Sequence, residues 1–354
     1  MRKNFLITTG GSGGHVLPAT ILYEHLSKEA NIIISTDKRG LKYLDKNFYK
    51  FKIINTPKLD SFFFLPLNLL IILYLTFKSI FLLKDLKIEK IFSTGGYMSL
   101  PIILAARILR LKIYLLEPNQ VLGRANRYFL NSCVKIFCYT NKIKGFPENS
   151  IDKIVLIKPL VKENIYKFKP SNEIKKKFNI LIVGGSQGAK IFDKSLKNLI
   201  VKFSKKEQIK IIHQTNENNI LNLKDYYSKN NIENQIFSFD KNFTNIIGQA
   251  DLCITRAGAS TLAELSVLNK PFIAVPLPTS KDNHQLENAN FYKDNECCWV
   301  IDQNSFEEKI EDILEEIFND KSSYLKKKEN LKKINYQNTW INVNQKILKI
   351  INEN

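Results

Sequence analysis

Two glycine-rich loops, one in each half of the chain, most constrain the fold. The first loop is Gly10-Gly-Ser-Gly-Gly-His15 and the second is Gly184-Gly-Ser-Gln-Gly188. Each loop follows an apolar run of strand length and precedes a stretch that can form a helix. Glycines at such a turn let backbone N–H groups and a helix N-terminus approach an anion. The repeated pattern therefore predicts two α/β domains whose anion-binding loops border a cleft.

Strand-like runs alternate with helix-compatible segments through both halves of the chain. This alternation is typical of a parallel, doubly wound sheet. A chain of 354 residues is long enough for two such domains, and we expect them at residues 1–160 and 161–336, with a C-terminal helix over 337–354 that packs back on the first domain. The predicted strands are Asn4–Thr9, Asn31–Ser35, Phe51–Asn55, Lys90–Ser93, Lys112–Leu116 and Val134–Tyr139, and then Asn179–Val183, Ile209–His213, Gln235–Phe239, Asp251–Thr255, Pro271–Val275 and Cys298–Ile301.

The formal net charge of +19 indicates anionic partners. Most of the excess is lysine scattered among asparagine and isoleucine, and no motif of the common RNA or DNA modules accompanies it. We therefore expect phosphorylated ligands or anionic lipid as partners, and no nucleic acid. The five cysteines lack paired spacing, which argues against a disulfide framework or a zinc site and favours a reducing compartment.

The segment Phe62–Leu83 is apolar enough, and nearly long enough, to cross a membrane. Pro66, Asn68, Thr76 and Lys78 interrupt it, and a span here would divide the predicted sheet. A second interpretation is an ordinary buried helix. The third, which we favour, is a domain helix whose apolar outer face lies in the membrane interface, with nearby lysines attracting anionic headgroups.

His15 ends the first glycine loop and would lie at the N-terminus of the following helix. The glycine spacing does not fit G-x-G-x-x-G, because Val16 takes the position of the third glycine, so a dinucleotide fold is disfavoured. A neutral histidine at the edge of the predicted cleft is a candidate general base. A capping or purely structural histidine is the alternative.

The segment Thr255–Glu264 combines a strand end, a loop of small residues and a helix start. Arg256 can offset phosphate charge, Ser260 and Thr261 can bind phosphate oxygens, and Glu264 can accept both hydroxyls of a ribose. Helix capping explains the two hydroxyl residues equally well, but it does not explain the arginine and the glutamate. A polar loop containing Gln285 follows the next strand and suits sugar hydroxyls, although a solvated loop would look the same.

Taken in order, the motifs GGSGGH, GGY, N-x-x-x-G-x-x-N, GGSQGA, RAG-x-x-T-x-x-E and K-D-N-H-Q-x-x-N-A closely resemble those of the MurG family of bacterial glycosyltransferases. The resemblance covers nearly the whole chain. It implies a GT-B fold, in which two Rossmann-like domains with parallel sheets face a central cleft. It also implies a peripheral enzyme at the cytoplasmic face of the bacterial inner membrane. This enzyme would transfer GlcNAc from UDP-GlcNAc to lipid I, the polyprenyl-linked acceptor, with inversion at the anomeric carbon.

The resemblance and the motifs together assign roles to individual residues. His15 matches the histidine proposed as the catalytic base, and the acceptor-side candidates are Tyr97, Glu117 and Asn126. We expect no cofactor and no required metal, since no Asp-x-Asp motif is present. The expected donor-binding residues are Ser12, Gly13, Gly14, Asn119, Ser186, Arg256, Ala259, Ser260, Thr261, Leu262, Ala263, Glu264 and Gln285.

The chain departs from the family pattern at Ile157-Lys-Pro-Leu-Val161, where a donor-binding arginine is usual. Lys158 or Lys162 could replace the charge of that arginine but not its bidentate geometry. Three alternatives therefore stay open. The chain could be another GT-B glycolipid glycosyltransferase, a UDP-GlcNAc 2-epimerase, or a membrane-peripheral nucleotide-sugar-binding protein with weakened catalysis.

Overall fold

Each half of the chain forms one parallel β-sheet. The structure is a computed structural model that describes residues 2–57, 64–168, 177–184, 190–238, 240 and 243–353. The chain divides into two units, of which the first comprises Met1–Lys162 with Thr339–Asn354 and the second comprises Glu163–Asn338. The helices are α1 (Gly13–Leu26), α2 (Leu65–Asp85), α3 (Leu100–Ile108), α4 (Arg124–Phe129), α5 (Glu163–Tyr166), α6 (Lys190–Ser204), α7 (Ile220–Lys229), α8 (Phe243–Gln249), α9 (Ala259–Val267), α10 (His284–Asp294), α11 (Phe306–Asn319), α12 (Lys321–Ile334) and α13 (Trp340–Glu353).

The sheet of the first unit has seven parallel strands in the order β3-β2-β1-β4-β5-β6-β7. The order reverses between β1 and β4, where Ile7 pairs with Ile34 on one side and with Phe92 on the other. The last strand has only three residues and was not among the predicted strands. The strands are β1 (Lys3–Thr8), β2 (Ala30–Thr36), β3 (Phe51–Ile53), β4 (Ile88–Ser93), β5 (Lys112–Glu117), β6 (Lys135–Cys138) and β7 (Ile154–Leu156).

Both faces of this first sheet are buried, which explains why its strands read as continuous apolar runs. Phe5 and Ile7 pack on one face together with residues of α1 and α13, and Leu6 packs on the opposite face with residues of α2 and α3. Because successive side chains alternate across a strand, each apolar strand supplies both layers of the core.

The C-terminal helix α13 belongs to the first unit. Trp340 stacks on the buried His25 ring of α1, with the ring centroids 3.6 Å apart, and Val343 and Ile347 enter the same core layer. The buried Lys90 ammonium donates a hydrogen bond to the Ile351 carbonyl, near the last turn of α13. A cation at this position complements the negative end of the helix dipole.

The sheet of the second unit has six parallel strands in the order β10-β9-β8-β11-β12-β13. Its order reverses between β8 and β11, where Ile182 pairs with His213 and with Ile254. Leu181 and Ile182 pack on opposite faces of the sheet, in two separate core layers. The strands are β8 (Phe178–Val183), β9 (Ile209–Gln214), β10 (Glu233–Phe237), β11 (Leu252–Thr255), β12 (Phe272–Ala274) and β13 (Cys298–Val300).

The prediction of two doubly wound, parallel α/β domains is confirmed. In such sheets, ligands bind beyond the carboxyl ends of the strands, at the point where the strand order reverses. A ligand site is therefore expected at the loops after β1 and β4 in the first unit and at the loops after β8 and β11 in the second.

Candidate functional site

The loops after β1 and β4 pack tightly around the side chain of Met98. Gly11 has φ of +80°, and a Cβ atom there would lie 2.6 Å from Met98 Cε. Gly96 has φ of +85°, and a Cβ atom there would overlap Met98 Sδ. Only glycine adopts this backbone without strain and leaves room for the buried methionine. Met98, which sequence analysis did not single out, thus sets the shape of both loops.

His15 lies in the first turn of α1, and its ring is held by the loop after β4. The distance from His15 Nδ1 to the Thr94 carbonyl oxygen is 2.8 Å. A carbonyl only accepts, so Nδ1 carries the proton in this contact and Nε2 of the neutral ring carries the lone pair. A second bond, from Thr94 Oγ1 to Thr9 Oγ1 at 2.8 Å, joins the two loops. The geometry therefore presents His15 Nε2 as a proton acceptor.

Ser12 is the N-cap residue of α1, and its hydroxyl makes no capping hydrogen bond. Gly13 is buried beside the ring of Tyr43, whereas Ser12 and Gly14 are exposed. Since the first N–H groups of a helix have no partner within the helix, this turn can donate to an anion. These three predicted donor residues thus lie in the same turn as His15, and two of them, Ser12 and Gly14, are exposed.

Asp37 follows β2 and holds the first glycine loop through a hydrogen bond from Gly11 N. This carboxylate is 3% exposed and accepts hydrogen bonds from Gly11 N and Gly40 N, both at 2.8 Å. Arg39 binds its other oxygen at 2.6 Å and also donates to the Tyr97 hydroxyl. Burial by itself raises the pKa of Asp37, but the hydrogen bonds from Gly11, Gly40 and Arg39 outweigh it and hold the pKa below its usual range. Its place directly after a strand was the only sequence signal for Asp37.

Glu117 is the last residue of β5, and its side chain points into the protein. One carboxylate oxygen accepts hydrogen bonds from Asn119 N at 3.2 Å and from Asn119 Nδ2 at 3.0 Å. The other accepts from Gly123 N at 2.8 Å and from Asn126 Nδ2 at 2.9 Å. Glu117 and Asn126 are both buried, so the structure brings these two predicted acceptor-side residues together as the frame of the loop that carries Asn119.

The second glycine loop lies mostly outside the described residues. Gly184 directly follows β8 and is described, whereas the predicted donor residue Ser186 lies outside the described ranges.

The N-terminus of α9 forms the described part of the candidate donor side. Gly258 is its N-cap residue, and a Cβ atom there would meet nothing among the described residues within 4 Å. Ala259, Ser260 and Thr261 form a partly exposed first turn, and Glu264 lies one turn further on the same helix, also partly exposed. The intervening Leu262 and Ala263 are buried and anchor the helix. The exposed first turn therefore offers N–H donors and hydroxyls to an anion.

Gln285, in the first turn of α10, joins the two neighbouring strand-end loops. Its amide oxygen accepts hydrogen bonds from Ala257 N at 3.2 Å and from Leu277 N at 3.0 Å. Arg256 is buried beneath the same loops and donates to backbone carbonyls rather than lying on an exposed surface. Arg256 and Gln285 were both predicted to bind the donor, but only Gln285 is partly exposed at this edge of the sheet.

Helix α2 exposes a broad apolar surface. Among the described residues, it is the one helix long and apolar enough to cross a membrane by length and composition, with a mean hydropathy of 1.9 over an 18-residue window that is 17% buried. The buried positions Ile72, Thr76, Ser79 and Leu83 form one helical stripe. Phe62, in the predicted segment, lies outside the described residues. The exposed large side chains are Leu67, Leu69, Leu70, Leu73, Tyr74, Phe77 and Phe81.

Comparison with known protein families accounts for most of the chain. Residues 5–138 match the glycosyltransferase family 28 N-terminal domain, and residues 179–339 match the glycosyltransferase family 28 C-terminal domain. The chain belongs to glycosyltransferase family 28. This membership confirms the glycosyltransferase predicted from the ordered motifs.

Individual proteins of known sequence or structure are also similar to this family 28 chain. A Pelagibacter ubique protein named UDP-N-acetylglucosamine--N-acetylmuramyl-(pentapeptide) pyrophosphoryl-undecaprenol N-acetylglucosamine transferase is 48% identical over 100% of both chains. A Rickettsia felis protein of the same name is 36% identical, covering 90% of this chain and 92% of that protein. The crystal structure of Acinetobacter baumannii MurG covers 100% of both chains with a TM-score of 0.77 and 23% identity. This structural similarity confirms the GT-B fold class.

Proposed function

We propose that this protein transfers GlcNAc from UDP-GlcNAc to the MurNAc 4-hydroxyl of lipid I, which yields lipid II and UDP in peptidoglycan synthesis. The full-length identity of 48% to a transferase named for these substrates carries the proposal. The exposed turn that holds His15 supports it, because a transfer to a hydroxyl requires a proton acceptor. The protein is thus an N-acetylglucosaminyltransferase of the cell-wall pathway.

His15 is the proposed general base. Its Nε2 takes the proton of the acceptor hydroxyl as that oxygen attacks the anomeric carbon of GlcNAc. The bond from the anomeric carbon to the diphosphate oxygen breaks, UDP departs and the configuration inverts. The Thr94 carbonyl contributes by fixing the ring tautomer before the transfer, and the imidazolium that forms keeps the bond from Nδ1–H to that carbonyl.

The negative charge that develops on the leaving diphosphate needs fixed donors. The first turn of α9 offers backbone N–H groups together with the hydroxyls of Ser260 and Thr261, and Glu264 is the proposed ribose ligand. Preorganised N–H groups stabilise developing charge without reorganising during the reaction. The proposed mechanism accordingly needs no metal ion as an obligatory participant.

The acceptor carries a polyprenyl chain, so the proposed enzyme works at the cytoplasmic face of the inner membrane. The exposed apolar side chains of α2 are the proposed membrane contact, and Lys78, Lys84 and Lys87 would face anionic headgroups. The buried stripe from Ile72 to Leu83 favours a helix that lies in the interface over one that spans the bilayer, because a span would withdraw this stripe from the domain core.

The test is incubation of the purified protein with labelled UDP-GlcNAc and a short-chain analogue of lipid I. The expected product is a labelled disaccharide-linked lipid together with stoichiometric UDP. Binding of UDP-GlcNAc without transfer would instead indicate a nucleotide-sugar-binding protein. Conversion of UDP-GlcNAc in the absence of acceptor would indicate an epimerase.

A further inference from the structure

Arg256 directly follows β11 and is enclosed by protein. It is 9% exposed, and its guanidinium lies over the ring of the buried Phe192 in α6, 5.3 Å from the ring centroid. One terminal nitrogen, Nη1, donates to the Val275 carbonyl at 3.1 Å and approaches the Pro276 carbonyl at 3.4 Å. The other, Nη2, donates to Gln303 Oε1 at 2.6 Å. Both terminal nitrogens are therefore engaged by protein oxygens.

The carbonyls that Arg256 binds belong to the loop that also contacts Gln285. Leu277, the residue after Pro276, donates its N–H to Gln285 Oε1, and Ala257, the residue after Arg256, donates its N–H to the same oxygen. Arg256 and Gln285 thus clamp the same two strand-end loops, the guanidinium from inside the domain and the amide from its edge.

These contacts also determine how the Gln285 amide is oriented. Only the oxygen of the amide can accept hydrogen bonds from two backbone N–H groups. Oε1 therefore faces the loops, and Nε2 faces away from them. The amide therefore presents N–H groups as donors. A shift of the loop after β12 would move Leu277 N and release this orientation.

We propose that Arg256 and Gln303 are positioning residues of the donor side, which hold the loop after β12 so that Gln285 meets the donor sugar, and that the Arg256 guanidinium does not bind the donor diphosphate. This inference rests on the proposed function, in which UDP-GlcNAc is the donor. It changes the role expected for Arg256 and assigns one to Gln303, which lies in the turn between β13 and α11.

The experiment compares equilibrium binding of UDP-GlcNAc, UDP and uridine by calorimetry. The variants are Arg256→Lys, Gln303→Leu and Gln303→Glu, with Gln208→Leu as the matched control on an exposed glutamine before β9. Gln303→Leu removes the acceptor for Nη2, and loss of a hydrogen bond to a charged group corresponds to about a tenfold higher Kd for UDP-GlcNAc. UDP lacks the sugar that Gln285 meets, so its Kd should change less than about threefold.

Gln303→Glu keeps an acceptor oxygen and should restore wild-type binding, and Gln208→Leu should have no effect. Arg256→Lys should weaken UDP-GlcNAc binding while leaving the ratio of UDP to uridine affinity unchanged. The proposal is overturned if Arg256→Lys lowers that ratio tenfold, or if Gln303→Leu binds UDP-GlcNAc as tightly as the wild type. The proposed function fails separately, when wild-type protein binds UDP-GlcNAc but transfers no sugar to the lipid acceptor.

Discussion

Replacing Glu117 by Gln tests whether this carboxylate frames a loop or binds substrate. The sequence motifs place Glu117 on the acceptor side, whereas in the structure it is 2% exposed and accepts four hydrogen bonds. In Glu117→Gln, one carboxylate oxygen becomes an amide NH₂ group. In either orientation that group faces two donors, which belong to Asn119 or to Gly123 and Asn126, so two of the four bonds are lost and two donors lose their acceptor.

The expected cost follows from these contacts. A hydrogen bond to a charged group contributes about 1.5 to 3 kcal/mol, and an unsatisfied buried donor costs a similar amount. Two such losses, partly relieved by local relaxation, correspond to about 3 kcal/mol of unfolding free energy. With a urea m-value of about 2 kcal/mol per molar, the unfolding midpoint of the first unit should fall by about 1.5 M.

Tryptophan fluorescence can follow the first unit alone. The chain has two tryptophans, of which Trp340 stacks on His25 in the first unit and Trp299 lies in β13 of the second. A Trp299→Phe background therefore leaves Trp340 as the reporter. Urea titrations of Glu117→Gln in that background measure the predicted shift, and acceptor KM is measured in parallel.

The control is Glu148→Gln, at an exposed glutamate of the same unit, which should leave the midpoint within about 0.3 M of the parent. A Glu117→Gln protein that unfolds at the parent midpoint but has a raised acceptor KM would refute the reasoning. The carboxylate would then be a substrate ligand.

Three further predictions concern the base, the membrane surface and the loop anchor. His15→Gln should lower turnover about a hundredfold or more while leaving the Kd of UDP unchanged, because it removes only the proton acceptor. Leu70 and Leu73 are 64% and 62% exposed; changing both to Gln should weaken binding to anionic liposomes about thirtyfold, at about 1 kcal/mol for each half-buried leucine. Asp37 has a lowered pKa, so its ionised form stabilises the fold above its ordinary pKa of 3.8, and this contribution is lost as the pH falls through the lowered value. The stability difference between wild type and Asp37→Asn, measured by urea titration, should therefore shrink as the pH drops below about 4.

Each of these predictions has its own control. His284→Gln changes a histidine outside the proposed base position and should keep turnover near that of the wild type. Leu221→Gln with Leu325→Gln alters two exposed leucines of the second unit and should not affect liposome binding; an equal loss in both double variants would refute the α2 surface. A stability difference for Asp37→Asn that stays constant from pH 7 to pH 3 would contradict the role assigned to its ionised carboxylate.

Local sequence was sufficient for the fold class and the family. Apolar runs with glycines at their ends predict parallel strands and strand-to-helix turns, because these depend on backbone conformation and on burial of both sheet faces. The order of the motifs identified the glycosyltransferase family, which the domain matches confirm. The short strand β7 was not predicted, since three residues carry too little periodicity to be distinguished from a loop.

The direction of the polar side chains depended on tertiary structure. Glu117, Arg256 and Asp37 all follow or end strands, and at that position a side chain can face either a ligand or a neighbouring loop with the same local sequence. Contacts made in the folded chain direct all three inward: Arg256 reaches Gln303, Asp37 holds Gly11, and Glu117 holds the loop that follows its own strand. The sequence by itself determined where the strands end in glycine-rich loops, because that information is local. Only the tertiary structure decided which charged groups hold those loops, because a buried charge takes whichever partners the folded chain brings within reach.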